Sequence, residues 1–174
     1  MNPEVHHSPT AAQQLWQRGL RAQLDGEIDE AMRLYRTSLE VQETAEAWAF
    51  LGWGLSFQGH LDDAVDACLR AIELDPGLGN PYNDIGAYLV EQDRDEEAVL
   101  WFQRAKEAER YDTPQFPYLN LARLYIHRGR LAGALLELQV AELLAPEDPR
   151  VAQLVARVGE LMAEQQEPVF ARAS

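Results

Sequence analysis

One cysteine, a shortage of basic side chains and the lack of any long apolar run set the first limits on this 174-residue chain. Cys68 alone can close no internal disulfide, which fits a reducing compartment. Lysine and arginine number 15 against 29 aspartates and glutamates, a formal charge of −14. That field repels a phosphate backbone, so nucleic acid is not an expected partner. No stretch approaches the ~18 apolar residues of a spanning helix, so membrane insertion is not expected either. The opening residues Met1 to Thr10 lack a basic region followed by an apolar one. The chain is therefore expected to be soluble and cytoplasmic.

Catalytic signatures are also missing. No glycine-rich phosphate loop leads into Lys-Ser/Thr, and no G-x-S-x-G elbow occurs. Of the four histidines, His6, His7, His60 and His127, none has the i, i+4 partner and acidic neighbour of a helical zinc site. No enzyme activity, metal or cofactor is expected. What the chain does have is 47% hydrophobic residues, enough for one core.

Those residues recur. Ala31-x-x-x-Tyr35 is followed by Ala64-x-x-x-Cys68, Ala98-x-x-x-Phe102 and Ala134-x-x-x-Leu138, at steps of 33, 34 and 36 residues. Gly19, Gly52, Gly86 and Ala122 precede these alanines by 12 residues, and Ser38, Ala71, Ala105 and Ala141 follow them by 7. Small side chains at fixed places let paired helices approach closely. Larger ones, Leu15, Trp48, Tyr82 and Tyr118, stand four residues before each Gly/Ala position.

This pattern resembles the tetratricopeptide repeat, which reads W-x2-L-G-x2-Y, then A-x3-F, then P over about 34 residues. Trp48-x-x-Leu51-Gly52-x-x-Leu55, Ala64-x-x-x-Cys68, Ala71 and Pro76 follow it best. Pro146 keeps the proline in the fourth unit, whereas Glu43 and Arg110 replace it in the first and third, and Arg18 occupies a usually apolar place. The resemblance implies an all-α fold, a right-handed α-solenoid of helix-turn-helix repeats.

The expected organisation is a flexible segment 1–10, repeats at about 12–44, 45–78, 79–114 and 115–148, a capping helix at about 149–164, and a flexible tail 165–174. Breaks within units are expected at Gly26, Gly59, Gln92-Asp93 and Gly129. Asp29-Glu30, Asp62-Asp63 and Asp95-Glu96-Glu97 open second helices, where acidic groups complement the helix dipole. Asp148 is a candidate N-cap, and Val151, Leu154, Val155, Val158, Leu161 and Met162 form the apolar stripe of a helix that covers the last repeat.

In the family, first helices line a concave groove. Carried onto this chain, the groove positions of the second unit are Glu46, Ala49, Phe50, Trp53, Ser56 and Phe57. Phe50, Trp53 and Phe57 form an aromatic stripe additional to the core set, and Trp16 extends it. A helix apolar on two faces must bury both. Either a partner covers this stripe, or the N-terminal segment around Val5 folds back over it, or superhelical neighbours bury it. In later units the positions turn polar: Asn80, Asn83, Asp84 and Glu91, then Asn120, Arg123 and His127. Arg123 either awaits a carboxylate or pairs with Glu91 or Asp84. The expected partner-binding residues are Trp16, Phe50, Trp53, Phe57, Asn83, Asp84, Asn120, Arg123 and His127.

Chaperone-binding relatives grip two carboxylates with Lys, Asn and Arg at set places. Here Ala49, Trp53, Asp84 and Asn120 stand there, so heat-shock-protein tails are not expected ligands. The expected function is a non-catalytic interaction module that binds a peptide or helical segment of another protein. A chaperone for a secreted or aggregation-prone client and a self-assembling module, with homo-oligomers, are the alternatives.

Overall fold

A computed structural model describes residues 9–166. Among these, nine helices follow one another: α1 (Ala11–Leu24), α2 (Ile28–Val41), α3 (Ala45–Phe57), α4 (Leu61–Leu74), α5 (Asn80–Glu91), α6 (Asp95–Lys106), α7 (Phe116–His127), α8 (Leu131–Leu144) and α9 (Pro149–Gln166). The fold is the expected α-solenoid of four helical pairs and a closing helix. None of these helices is long and apolar enough to cross a membrane. Most of the segments expected to be flexible, and Val5 with them, lie outside the described residues. Thr10, assigned to the first such segment, instead caps α1: it receives the Gln13 backbone N–H at 3.2 Å while its own N–H donates to Gln13 Oε1 at 2.8 Å.

Each pair turns where backbone conformation permits. Gly26, Gly59 and Gly129 have φ of 84°, 79° and 70°, and Asp93 takes the same left-handed conformation, at 59°, in the third pair. Small residues then bring the helices together. A Cβ on Gly19 would stand 2.6 Å from the Tyr35 ring, and one on Gly86 would stand 2.5 Å from the Phe102 ring. The core runs along this seam through Tyr35, Cys68, Ile85, Phe102, Leu121 and Leu138, all essentially inaccessible. Burying each of the larger ones contributes about 1.5–3 kcal/mol.

A second set of contacts joins neighbouring units. The acidic residues at the starts of α2, α4 and α6 do more than face a helix dipole. Asp29 accepts from Gln58 Nε2 at 2.8 Å, Asp62 from Gln92 Nε2 at 2.7 Å, and Asp95 from Arg128 Nε at 3.1 Å. In every case the donor is the C-cap residue of the next unit's first helix.

Curvature follows from which helices touch. The backbones of odd-numbered helices approach that of the next odd-numbered helix from α1 through α9, whereas the backbones of even-numbered helices stand farther apart and α6 reaches α8 through the long side chains of Lys106 and Glu137. The closer-spaced row lies inside the bend, so α1, α3, α5 and α7 form the concave wall. At the open end, Asp148 accepts the Arg150 backbone N–H at 3.0 Å, and α9 seats Val151 and Val158 against Leu119, Leu131 and Leu138. Val155 departs from the expected stripe and is 38% exposed.

Candidate partner-binding groove

The concave wall encloses a cavity of about 610 Å³. Its apolar side comes from the first two units. Trp16 of α1 stacks on Phe50 of α3 with ring centroids 5.3 Å apart and planes inclined by 18°. Phe50 also stacks on Tyr35 at 5.9 Å and meets Trp53 at 6.4 Å, and Trp53 meets Phe57 at 5.7 Å. The four aromatics expected from spacing thus form one row. Trp16, Phe50 and Trp53 line the cavity, whereas Phe57 ends the row outside it and is 60% exposed.

The polar side comes from α5 and α7. Arg123 donates to Asn120 Oδ1 at 3.0 Å, and Asn120 Nδ2 donates to Asn83 Oδ1 at 2.9 Å. Asn83 Nδ2 in turn points to Asp84 Oδ1 at 3.5 Å, at the weak limit of a hydrogen bond. All four residues line the cavity. Arg123 forms no ion pair with Asp84 or Glu91; its amide partner is Asn120 on its own helix. The groove walls, with Arg150 close by, draw the Arg123 pKa below its ordinary value, and Asp148 opposes them.

Asp84 keeps part of its surface open to the cavity, and protein surrounds it on the other sides. That enclosure pushes its carboxyl up to about 7, against the weak opposing contact from Asn83. Its charge also adds to the burial that raises the Tyr88 and Tyr111 hydroxyls and the Cys68 thiol. His127 lies apart from the main cavity, in an adjoining one of about 460 Å³ that shares Asn120 and Arg123 and includes Glu91.

Leu78, Arg110, Tyr111, Asp112, Phe116 and Arg150 also line the cavity and escaped the sequence reading; Arg110, Tyr111 and Arg150 among them carry polar groups with defined partners or stacking. Arg110 and Tyr111 belong to the connector between α6 and α7, which turns into the groove and pairs with the connector before α5. Arg110 N–H donates to the Gly77 carbonyl at 3.0 Å, and Gly79 N–H donates to the Arg110 carbonyl at 2.9 Å. The Arg110 guanidinium holds Asp75 and, at 3.1 Å, Glu46. Tyr111 packs its ring on Gly79, where a Cβ would stand 2.5 Å away. The long step of 36 residues between the third and fourth units was the available signal. Arg150 enters from the closing helix and stacks its guanidinium over Phe116 at 4.5 Å.

Tetratricopeptide-repeat family models match residues 45–78 and 117–158. No curated protein matches the chain. Among solved structures, PilW, a widely conserved type IV pilus biogenesis factor, superimposes with a TM-score of 0.78 at 18% identity, covering 88% of this chain and 71% of that one. PilF of Pseudomonas aeruginosa gives 0.79 at 24% identity, covering 93% and 72%. YrrB, a tetratricopeptide-repeat protein with an unusual peptide-binding site, gives 0.62 at 19% identity, covering 82% and 73%. At these identities the likeness concerns the fold. The first matched segment coincides with the α3–α4 pair and the second runs from α7 into α9, within one uninterrupted array of such pairs, so the chain belongs to the tetratricopeptide-repeat proteins.

Proposed function

We propose that this chain is a non-catalytic adaptor or assembly scaffold that holds a peptide or helical segment of another protein in its concave groove. The observation that carries the reading is one cavity joining the aromatic row Trp16–Phe50–Trp53 to the polar chain Asn83–Asn120–Arg123. Aromatic anchors supply most of the energy at such interfaces, and an arginine without a carboxylate partner supplies direction. Related folds act in pilus biogenesis and peptide binding, which agrees with this reading. Crosslinking followed by pull-down with the intact chain tests it: a bound polypeptide should be lost on Trp53→Ala and weakened on Arg123→Ala. Partners retained by both variants would exclude the groove.

Self-association is the second reading, supported by a different surface. On α8, Leu136 and Leu143 are 65% and 84% exposed, and Val140 stands between them on the same face. Light scattering at high concentration, with Leu136→Glu and Leu143→Glu as controls, decides it. A strict monomer sinks the idea.

A further inference from the structure

The groove reading leaves Asp84 unexplained. A carboxylate drawn out of water costs free energy unless a cation or several donors compensate. Among the described residues Asp84 has neither: one long contact from Asn83 is its only side-chain hydrogen bond, and no cation acts on it. It nevertheless opens into the cavity that Trp16, Phe50, Trp53 and Tyr111 line.

The hydrogen-bond chain gives the groove a polarity. Arg123 can only donate, so the Asn120 carbonyl must face it, and the Asn120 amide then donates to Asn83. The Asn83 amide consequently faces Asp84. Reversing either asparagine would set donor against donor. The line runs in one sense, from a cation on α7 to a carboxylate on α5; Arg150, beside Arg123, already has its counter-charge in Asp148.

We propose that Asp84 receives a lysine or arginine side chain of the bound segment, its methylene stem laid along the aromatic row, while an acidic group of the same segment meets Arg123. The site thereby selects a dipolar segment and sets its direction. Aromatic faces next to a carboxylate favour a cation over a neutral group, because ring and carboxylate both attract it. The chain's strong negative charge draws a basic segment toward the groove. This inference rests on the groove being the binding site.

A random peptide library displayed against the intact chain separates the two ideas. Selected peptides that lose binding on Trp53→Ala establish groove binding. Among these, the inference expects lysine or arginine at one recurrent position. Replacing that residue by norleucine should weaken binding roughly tenfold or more. Asp84→Asn should weaken it equally, and the two changes together should cost no more than one alone. Asp84→Asn must also melt no lower than the parent chain, so that lost binding is not lost folding. Groove-dependent peptides that bind Asp84→Asn undiminished, or that show no basic position, overturn the inference and leave the groove reading intact. A library yielding no Trp53-dependent peptide overturns both.

Discussion

Gly86 lies against the Phe102 ring so closely that a methyl carbon on it would stand 2.5 Å from Cε1. Both belong to the α5–α6 pair, and the ring is buried. Gly86→Ala should therefore force these helices apart and destabilise the chain by about 1–3 kcal/mol. Gly159 on α9 has no neighbour within 4 Å of such a carbon. There the same change should stabilise by about 0.5–1 kcal/mol through helix propensity alone. Urea denaturation of the two variants checks the opposite signs.

Lys106 of α6 and Glu137 of α8 form an ion pair of 2.6 Å between neighbouring units, with the two side chains only 12% and 15% exposed. Lys106 also lies over the Tyr118 ring at 4.3 Å. Removing the carboxylate leaves a nearly enclosed ammonium without its counter-charge. Glu137→Ala should cost about 2–4 kcal/mol, far more than Glu30→Ala, which breaks an exposed pair with Arg33. Denaturant midpoints measured side by side test the contrast.

The register of the solenoid was legible because it rests on local necessity. Gly19, Gly52 and Gly86 recur where the second helix of the same unit leaves no room, through the rings of Tyr35 and Phe102 at the first and last and through the Ala64 carbonyl and Cys68 at Gly52. The aromatic row was legible for a related reason: Phe50, Trp53 and Phe57 exceed what the core of one helix can absorb. The polar side was legible residue by residue but not in its pairing. Whether Arg123 meets Asn120 or a carboxylate depends on the rotation of α7 relative to α5, which spacing along one helix does not encode. Arg110 and Tyr111 were illegible as lining residues because their place depends on pairing with Gly77 and Gly79, some thirty residues earlier. Arg110 stood out only as a departure from the repeat's proline.

Asp93 holds a φ of 59° where the other three pairs have glycine. A side chain with a Cβ carries a steric cost in that conformation, and aspartate reduces the cost only in part. Asp93→Gly should stabilise the chain by about 0.5 kcal/mol, the relief of strain exceeding the extra entropy of the unfolded chain. The corresponding rise in Tm is ~1–2 °C. Gly59→Asp, the reverse change one unit earlier, should lower it.

Asp84 gives stability a pH dependence that can be isolated by substitution. Its carboxyl ionises near 7 in the folded chain and near its ordinary value of 3.8 when unfolded, because the folded surroundings favour the neutral form. Between those values the folded chain holds the extra proton, so this group's contribution falls as pH rises from about 4 to about 7 and then levels. The groups facing it, Cys68 on α4, Tyr88 on α5 and Tyr111 on the connector, have their own pKa values raised and stay neutral across that window. Asp75 and Asp148, held low by Arg110 and Arg150, contribute in the opposite sense and only at lower pH. The difference between parent and Asp84→Asn removes their contribution. Asp84→Asn should match the parent near pH 4 and exceed it at pH 8 by roughly 1–3 kcal/mol, less than the full shift implies because groove water reaches the carboxyl. A difference that stays flat between pH 4 and pH 8 would mean that Asp84 ionises normally, with its charge already met by water.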